Sequence, residues 1–431
     1  MIGVISTVAE NKYFLIAAST KLVCYFTNWS QYRPSSGKFT SGNVDPFLCT
    51  HVIYTMATVG PDHQIATVEW NDEIMYKNLN NLKNVDSFRF IDMVANAANR
   101  ATFIHSALLF VRTHNFDGLD LAWDYPGHNG SNCIVTSHNL QELRAAIEQE
   151  ALDTKKTPLL LSAKVAALRS VIDIAYEVRE ISRYLDFISI MTYDYHGSWE
   201  KVTGHNSPLF KSYLDKGSHM YHNIDASVSY WISNGAPAEK LLLGFPLYGR
   251  TFLLSSTETA LGAPANGPAA AGPYTREAGY WSYYEVNDLG WIDEQSVPYA
   301  TQGNVWLGYD NKESYSAKVH WLNSMNLGGA SVWTLDLDDF QGQFCSDGAY
   351  PLVNHLRNSL GKQPPTTTPN PITSFCTGKP DGLYPNPADE TTYFQCFRGN
   401  TYLQYCQPGL VFIDGCKCCN CAHFQKTGVH T

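Results

Sequence analysis

The residues best placed to do chemistry stand in one short run, Phe116-Asp117-Gly118-Leu119-Asp120-Leu121-Ala122-Trp123-Asp124-Tyr125-Pro126-Gly127. Side chains alternate across a β-strand, so Asp120, Ala122 and Asp124 share one face. On a strand of a closed barrel that face is the interior. Asp124 then falls at the C-terminal mouth, where such barrels keep their reacting groups. A carboxylate turned into a barrel is costly unless it is paired or functional, so these acids read as functional groups rather than solvated strand-end caps.

The elements that must position them alternate in type along the first 360 residues. Short β-rich runs at 22–29, 51–59, 116–125, 159–167, 187–194, 241–248 and 329–336 are separated by amphipathic stretches. In 101–113, for example, Phe103, Ile104, Ala107, Leu108 and Val111 recur at helical spacing. Strands separated by helices imply parallel βαβ units, and this many in one domain predict an α/β fold of the (β/α)8 TIM-barrel type. The segment 251–321, rich in Gly, Pro and aromatics, predicts an α+β insertion before the last strand. Only seven strands are visible, because no apolar β-run lies between Val59 and Phe116. The expectation is a barrel of residues 21–360 lacking its third strand.

Residues 1–20 read as a degenerate leader, with no early Lys or Arg and an apolar run only from Tyr13 to Ala18. Residues 361–374 form a Pro/Thr-rich linker. Residues 375–431 hold seven of the chain's 11 cysteines, the density of a small disulfide scaffold from an oxidising compartment. The sequons Asn28-Trp29-Ser30 and Asn129-Gly130-Ser131 fit a secreted glycoprotein. Net charge is −10 without a basic block, which argues against a nucleic-acid partner, and no stretch is long enough to span a membrane. His196 and His205 lack metal-ligand spacing, so no metal and no cofactor are expected.

The motif resembles the family 18 glycosidase signature Asp-x-x-Asp-x-Asp-x-Glu followed by Tyr-Pro-Gly. Other landmarks are similar: Cys24-Tyr25-Phe26-Thr27-Asn28-Trp29, Met191-Thr192-Tyr193-Asp194, Gly244-Phe245-Pro246-Leu247-Tyr248-Gly249-Arg250, and Val332-Trp333 with Leu335-Asp336-Leu337-Asp338-Asp339. The resemblance, to the animal acidic chitinase and chitotriosidase group, runs from about residue 21 to the end. It implies substrate-assisted hydrolysis of chitin, in which the substrate's N-acetyl oxygen is the nucleophile. Asp124 would stand at the general-acid position, with Asp120, Tyr193 and Asp194 around it. Tyr25, Met191, Arg250 and Trp333 would contact sugar.

Three departures follow from the same comparison. Asp124 replaces the family's Glu and is shorter by one methylene, and misplacing a catalytic group by about 1 Å costs on the order of a hundredfold. Ala122 replaces the carboxylate that orients the acetamide. The third strand, with its Gly-Gly-Trp type turn, is missing, and an open barrel threatens the fold.

In the C-terminal segment, Cys376, Cys396, Cys406, Cys416, Cys418 and Cys419 resemble the animal peritrophin-type chitin-binding module, with Tyr393 and Phe394 available to stack on sugars. The resemblance also implies a Cys24–Cys49 bridge and leaves Cys133, Cys345 and Cys421 without obvious partners. The reading is a secreted, monomeric chitinase-like protein that binds chitin or N-acetylglucosamine oligomers with little or no hydrolysis. The alternatives are a weak endo-chitinase using Asp124, and a decayed copy with no stable product.

Overall fold

The computed structural model describes residues 2–7, 20–75, 96–122, 133–286, 290–361, 375–376, 378–380, 382–387, 389–397, 400–406, 410–415 and 417–421. The chain divides into two compact units, Met1–Lys362 and Gln363–Thr431.

In the first unit eight strands close a barrel: β1 (Ile2–Thr7), β2 (Lys21–Thr27), β3 (His51–Val59), β4 (Gly118–Leu121), β5 (Leu160–Ala166), β6 (Phe187–Met191), β7 (Leu241–Pro246) and β8 (Gly329–Trp333). Neighbours run β1-β4-β5-β6-β7-β8-β2-β3, and β3 returns to β1. All pairs are parallel except the two made by β1.

This corrects two expectations. The place between β3 and β4 is not vacant: the N-terminal strand fills it, running antiparallel, with Val4 opposite both Tyr54 and Leu119. Residues 2–7, assigned above to a degenerate leader, are thus a barrel stave, and their Ile-Gly-Val-Ile pattern supplies one residue to each side. Val4 is buried in the layer between barrel and helices, while Ile5 joins Val23, Tyr25, Ile53, Phe187 and Leu242 inside the barrel. Gly3 is required there. A Cβ on it would lie 2.2 Å from Ile53 Cγ2 and 3.1 Å from Asp120 Cβ.

Helices cover the outside. Ala97–Thr113 buries Phe103, Ile104, Ala107 and Val111 as its periodicity predicts, and Arg100–Glu142 and Arg112–Glu150 ion pairs of 2.8 and 2.7 Å tie it to Cys133–Thr154. The insertion is a five-stranded antiparallel sheet between Tyr248 and Gly308. It is shorter than the sequence rhythm suggested, because helix Lys312–Ser324 sends Tyr315, Val319, Trp321 and Leu322 into the barrel's own core.

The second unit holds a three-stranded sheet (Gly382–Pro385, Thr392–Phe397, Asn400–Tyr405) and a hairpin of Leu410–Ile413 with Cys418–Cys421. Cys376–Cys396 and Cys406–Cys419 bridges staple it, and Cys418 is also disulfide-bonded. Cys24 and Cys49 are bridged in the first unit, where Cys345 is a free thiol.

Candidate active site

β4 carries Leu119 and Leu121 outward into the helix layer, which turns Asp120 and Ala122 inward, as strand alternation requires. Asp120 is fully buried. Its carboxylate accepts a 3.1 Å hydrogen bond from the Tyr25 hydroxyl on β2 and a 2.5 Å bond from Ser162 Oγ on β5. Burial pushes the Asp120 carboxyl above its usual range, opposed by those two donors and by the Lys164 charge. Burial and the Asp120 charge together hold the Tyr25 hydroxyl protonated, a fixed donor. Ala122, one strand step higher on the same face, is 1% exposed and offers only a methyl group. Asp124 and Trp123 lie outside the described residues.

The wall after β6 and β7 is charged. Asp194 follows β6 with a left-handed backbone (φ 60°), and its amide donates to Asn206 Oδ1. Its carboxylate accepts from Tyr248 Oη at 2.8 Å and Arg250 Nε at 2.7 Å. Tyr193 meets the Tyr248 ring edge to face at 6.0 Å, and Met191 packs partly buried against the core. Arg250 also lies 5.4 Å from the exposed Trp199 ring. Further round the mouth, Asp336 accepts from Thr27 Oγ1 and from Arg33.

Trp333 ends β8, its ring centre 5.2 Å from that of Tyr25. Lys164, on β5 two residues beyond Ser162 and so on the same interior face, puts Nζ 4.1 Å from the Trp333 ring centre. Sequence reasoning missed Lys164. The signal was present in the period-2 run Ser162-Ala163-Lys164, which places a cation on the inward face of a barrel strand. The structure therefore brings Tyr25 and Trp333, from the neighbouring strands β2 and β8, against Asp120 and Lys164, from the neighbouring strands β4 and β5, and gathers Tyr193, Asp194 and Arg250 with Tyr248 beyond the ends of β6 and β7.

In the second unit Tyr393 stacks on Phe412 at 4.5 Å and is partly exposed. Phe394 was expected to face sugar. It is 3% exposed and packs on Phe375 at 4.4 Å, because strand alternation gives it, like Thr392 and Cys396, to the inner side of this small sheet. Cys416 lies outside the described residues.

Comparison with known proteins agrees with this geometry. Residues 21–338 match the family described as Glycosyl hydrolases family 18. Chitotriosidase-1 of Mus musculus is 46% identical across 93% of this chain and 95% of its own length. Chitinase-3-like protein 2 of Homo sapiens is 43% identical across 79% of this chain and 93% of its own. Among solved structures, human YKL-39, described as a pseudo-chitinase with retained chitooligosaccharide binding properties, superposes with a TM-score of 0.77 at 42% identity, covering 80% of this chain and all of that one. A chitinase from Trichuris suis superposes at 0.75 with 37% identity, covering 79% of this chain and all of that one.

Proposed function

The chain belongs to glycosyl hydrolases family 18, and from that premise we propose that it binds chitin or N-acetylglucosamine oligomers with little or no hydrolysis. The observation that carries this reading is Ala122. On the inner face one step above Asp120, where the family signature has the carboxylate that orients and charge-stabilises the substrate acetamide, stands a buried methyl group. It can neither hydrogen-bond the acetamide nor offset the positive charge that builds during its attack. The shortened acid Asp124 adds to the deficit. Lys164 points the same way, since its ammonium lies 4.1 Å from the Trp333 ring centre, close to the separation of about 3.5–4 Å that a stacked sugar carbon would take.

Retained binding is supported by what is intact. Asp194, Tyr248 and Arg250 form a connected polar wall, exposed Trp199 offers a flat apolar face beside it, and the similar YKL-39 is described as retaining chitooligosaccharide binding. Closure of the barrel by β1 favours a folded product over a decayed copy. The paired cysteines of the second unit fit a secreted protein, and the described residues contain no helix long and apolar enough to cross a membrane. We assign the protein to the extracellular space as a monomer. A fluorogenic chitobioside tests the catalytic half of the reading: the native chain should release no more fluorophore than its Asp124→Ala variant. Turnover above that control would favour a weak chitinase.

A further inference from the structure

Outside the barrel interior, one cluster of side chains has the composition of a metal centre. His196 and Glu200 lie on the loop after β6, one helical turn apart in sequence. His219 stands on the 3-10 turn Gly217–Tyr221, and His222 follows it. His196 Nδ1 is 2.9 Å from Glu200 Oε2, and His219 Nε2 is 3.8 Å from Glu200 Oε1. The ligand atoms of His196, Glu200 and His219 all fall within 4.8 Å of one another. Donor atoms around a tetrahedral zinc, each about 2.0–2.1 Å from the metal, are roughly 3.3 Å apart. The two separations from Glu200 bracket that value, and rotation of the half-exposed His219 ring would tighten a trio that now spans up to 4.8 Å.

Two further observations point the same way. His196 is 5% exposed, so its ring is fixed in place. His222 stacks on His219 at 4.8 Å and lies 5.7 Å from His196. Its Nδ1 is buried with no hydrogen-bond partner among the described residues. A buried imidazole nitrogen left without a partner is the kind of group that a bound ion would satisfy.

We propose that His196 Nδ1, the Glu200 carboxylate and His219 Nε2 bind one zinc-type divalent ion, with His222 beside them. Imidazole nitrogens with one carboxylate suit zinc and its transition-metal neighbours and disfavour calcium or magnesium, which demand oxygen ligands. The half-exposed His219 gives the ion a path in. Binding links the loop that carries Asp194 to the 3-10 turn, and so braces one wall of the barrel mouth. No spacing rule could show this site, because 18 residues separate Glu200 from His219.

The test is titration of the full, chelator-treated chain with Zn2+ and with Co2+, beside the variant His219→Ala. That substitution removes a half-exposed ring and leaves the core intact. The proposal expects one Zn2+ equivalent by calorimetry and weak visible Co2+ bands of tetrahedral nitrogen–oxygen ligation. It also expects at least a tenfold loss of affinity in His219→Ala. Equal affinity in the variant, intense thiolate-to-cobalt absorption in place of the weak bands, or no binding would each overturn it.

Discussion

Lys164 Nζ lies 4.1 Å from the centre of the Trp333 ring, inside the barrel and beside the buried Asp120. A sugar that stacks on that face must first displace the ammonium, and a desolvated cation–π contact is worth about 0.5–2 kcal/mol. The variant Lys164→Ala should therefore bind chitotetraose about twofold to thirtyfold more tightly by calorimetry. Unchanged or weaker affinity would mean that oligomers never use this face.

Restoring carboxyls alone should not restore catalysis. Ala122→Asp with Asp124→Glu rebuilds the signature yet leaves Lys164 on the Trp333 ring, so fluorogenic turnover should stay near background. Adding Lys164→Ala should raise it at least tenfold over the double variant. Full activity in the double variant would show that the ammonium is no obstacle.

The N-terminal stave is a structural requirement. Gly3→Val places carbon atoms where Ile53 Cγ2 already stands, 2.2 Å from the new Cβ. Overpacking of this kind costs about 1–3 kcal/mol. Calorimetric melting of the first unit should shift down by several degrees, and removal of residues 1–7 should abolish cooperative melting by exposing the β3 and β4 edges. A deletion that melts as the native chain does would remove β1 from the barrel.

Acid should destabilise the fold through His205. This fully buried ring donates from Nε2 to the Pro298 and Tyr309 carbonyls, and its Nδ1 accepts from the Ser207 amide. Burial pushes it down to about 4, with Asp310 opposing and Lys318 assisting. Between pH 6.5 and 4 the unfolded chain takes up a proton that the folded chain refuses, so stability falls as pH falls and levels off below about 4. The contribution is on the order of 3 kcal/mol. His205→Gln keeps a donor and an acceptor without the titration, and its melting temperature should fall less between pH 7 and 4.5. A parallel fall in both proteins would clear His205.

Much of the architecture was legible in the sequence. Seven staves and the 101–113 part of the helix Ala97–Thr113 follow from periodicity, and strand alternation placed Asp120 and Ala122 inward. β1 was not legible. Six residues far from their neighbours carry no local sign of the partner they will pair with, and an antiparallel stave breaks the βαβ rule on which the count rested. Phe394 failed for a related reason: a small module must make its core from the same aromatics that could bind sugar, and only the sheet register decides which face each takes. Lys164 was legible too, since the period-2 run Ser162-Ala163-Lys164 puts a cation on an inward strand face.

Binding without cleavage is the central claim, and one calorimetric titration with chitohexaose addresses both halves of it. The account predicts a saturable isotherm whose heat returns to baseline after each injection, with the hexamer intact at the end. Sustained heat above that of the Asp124→Ala variant, with shorter oligomers in the cell, would contradict it.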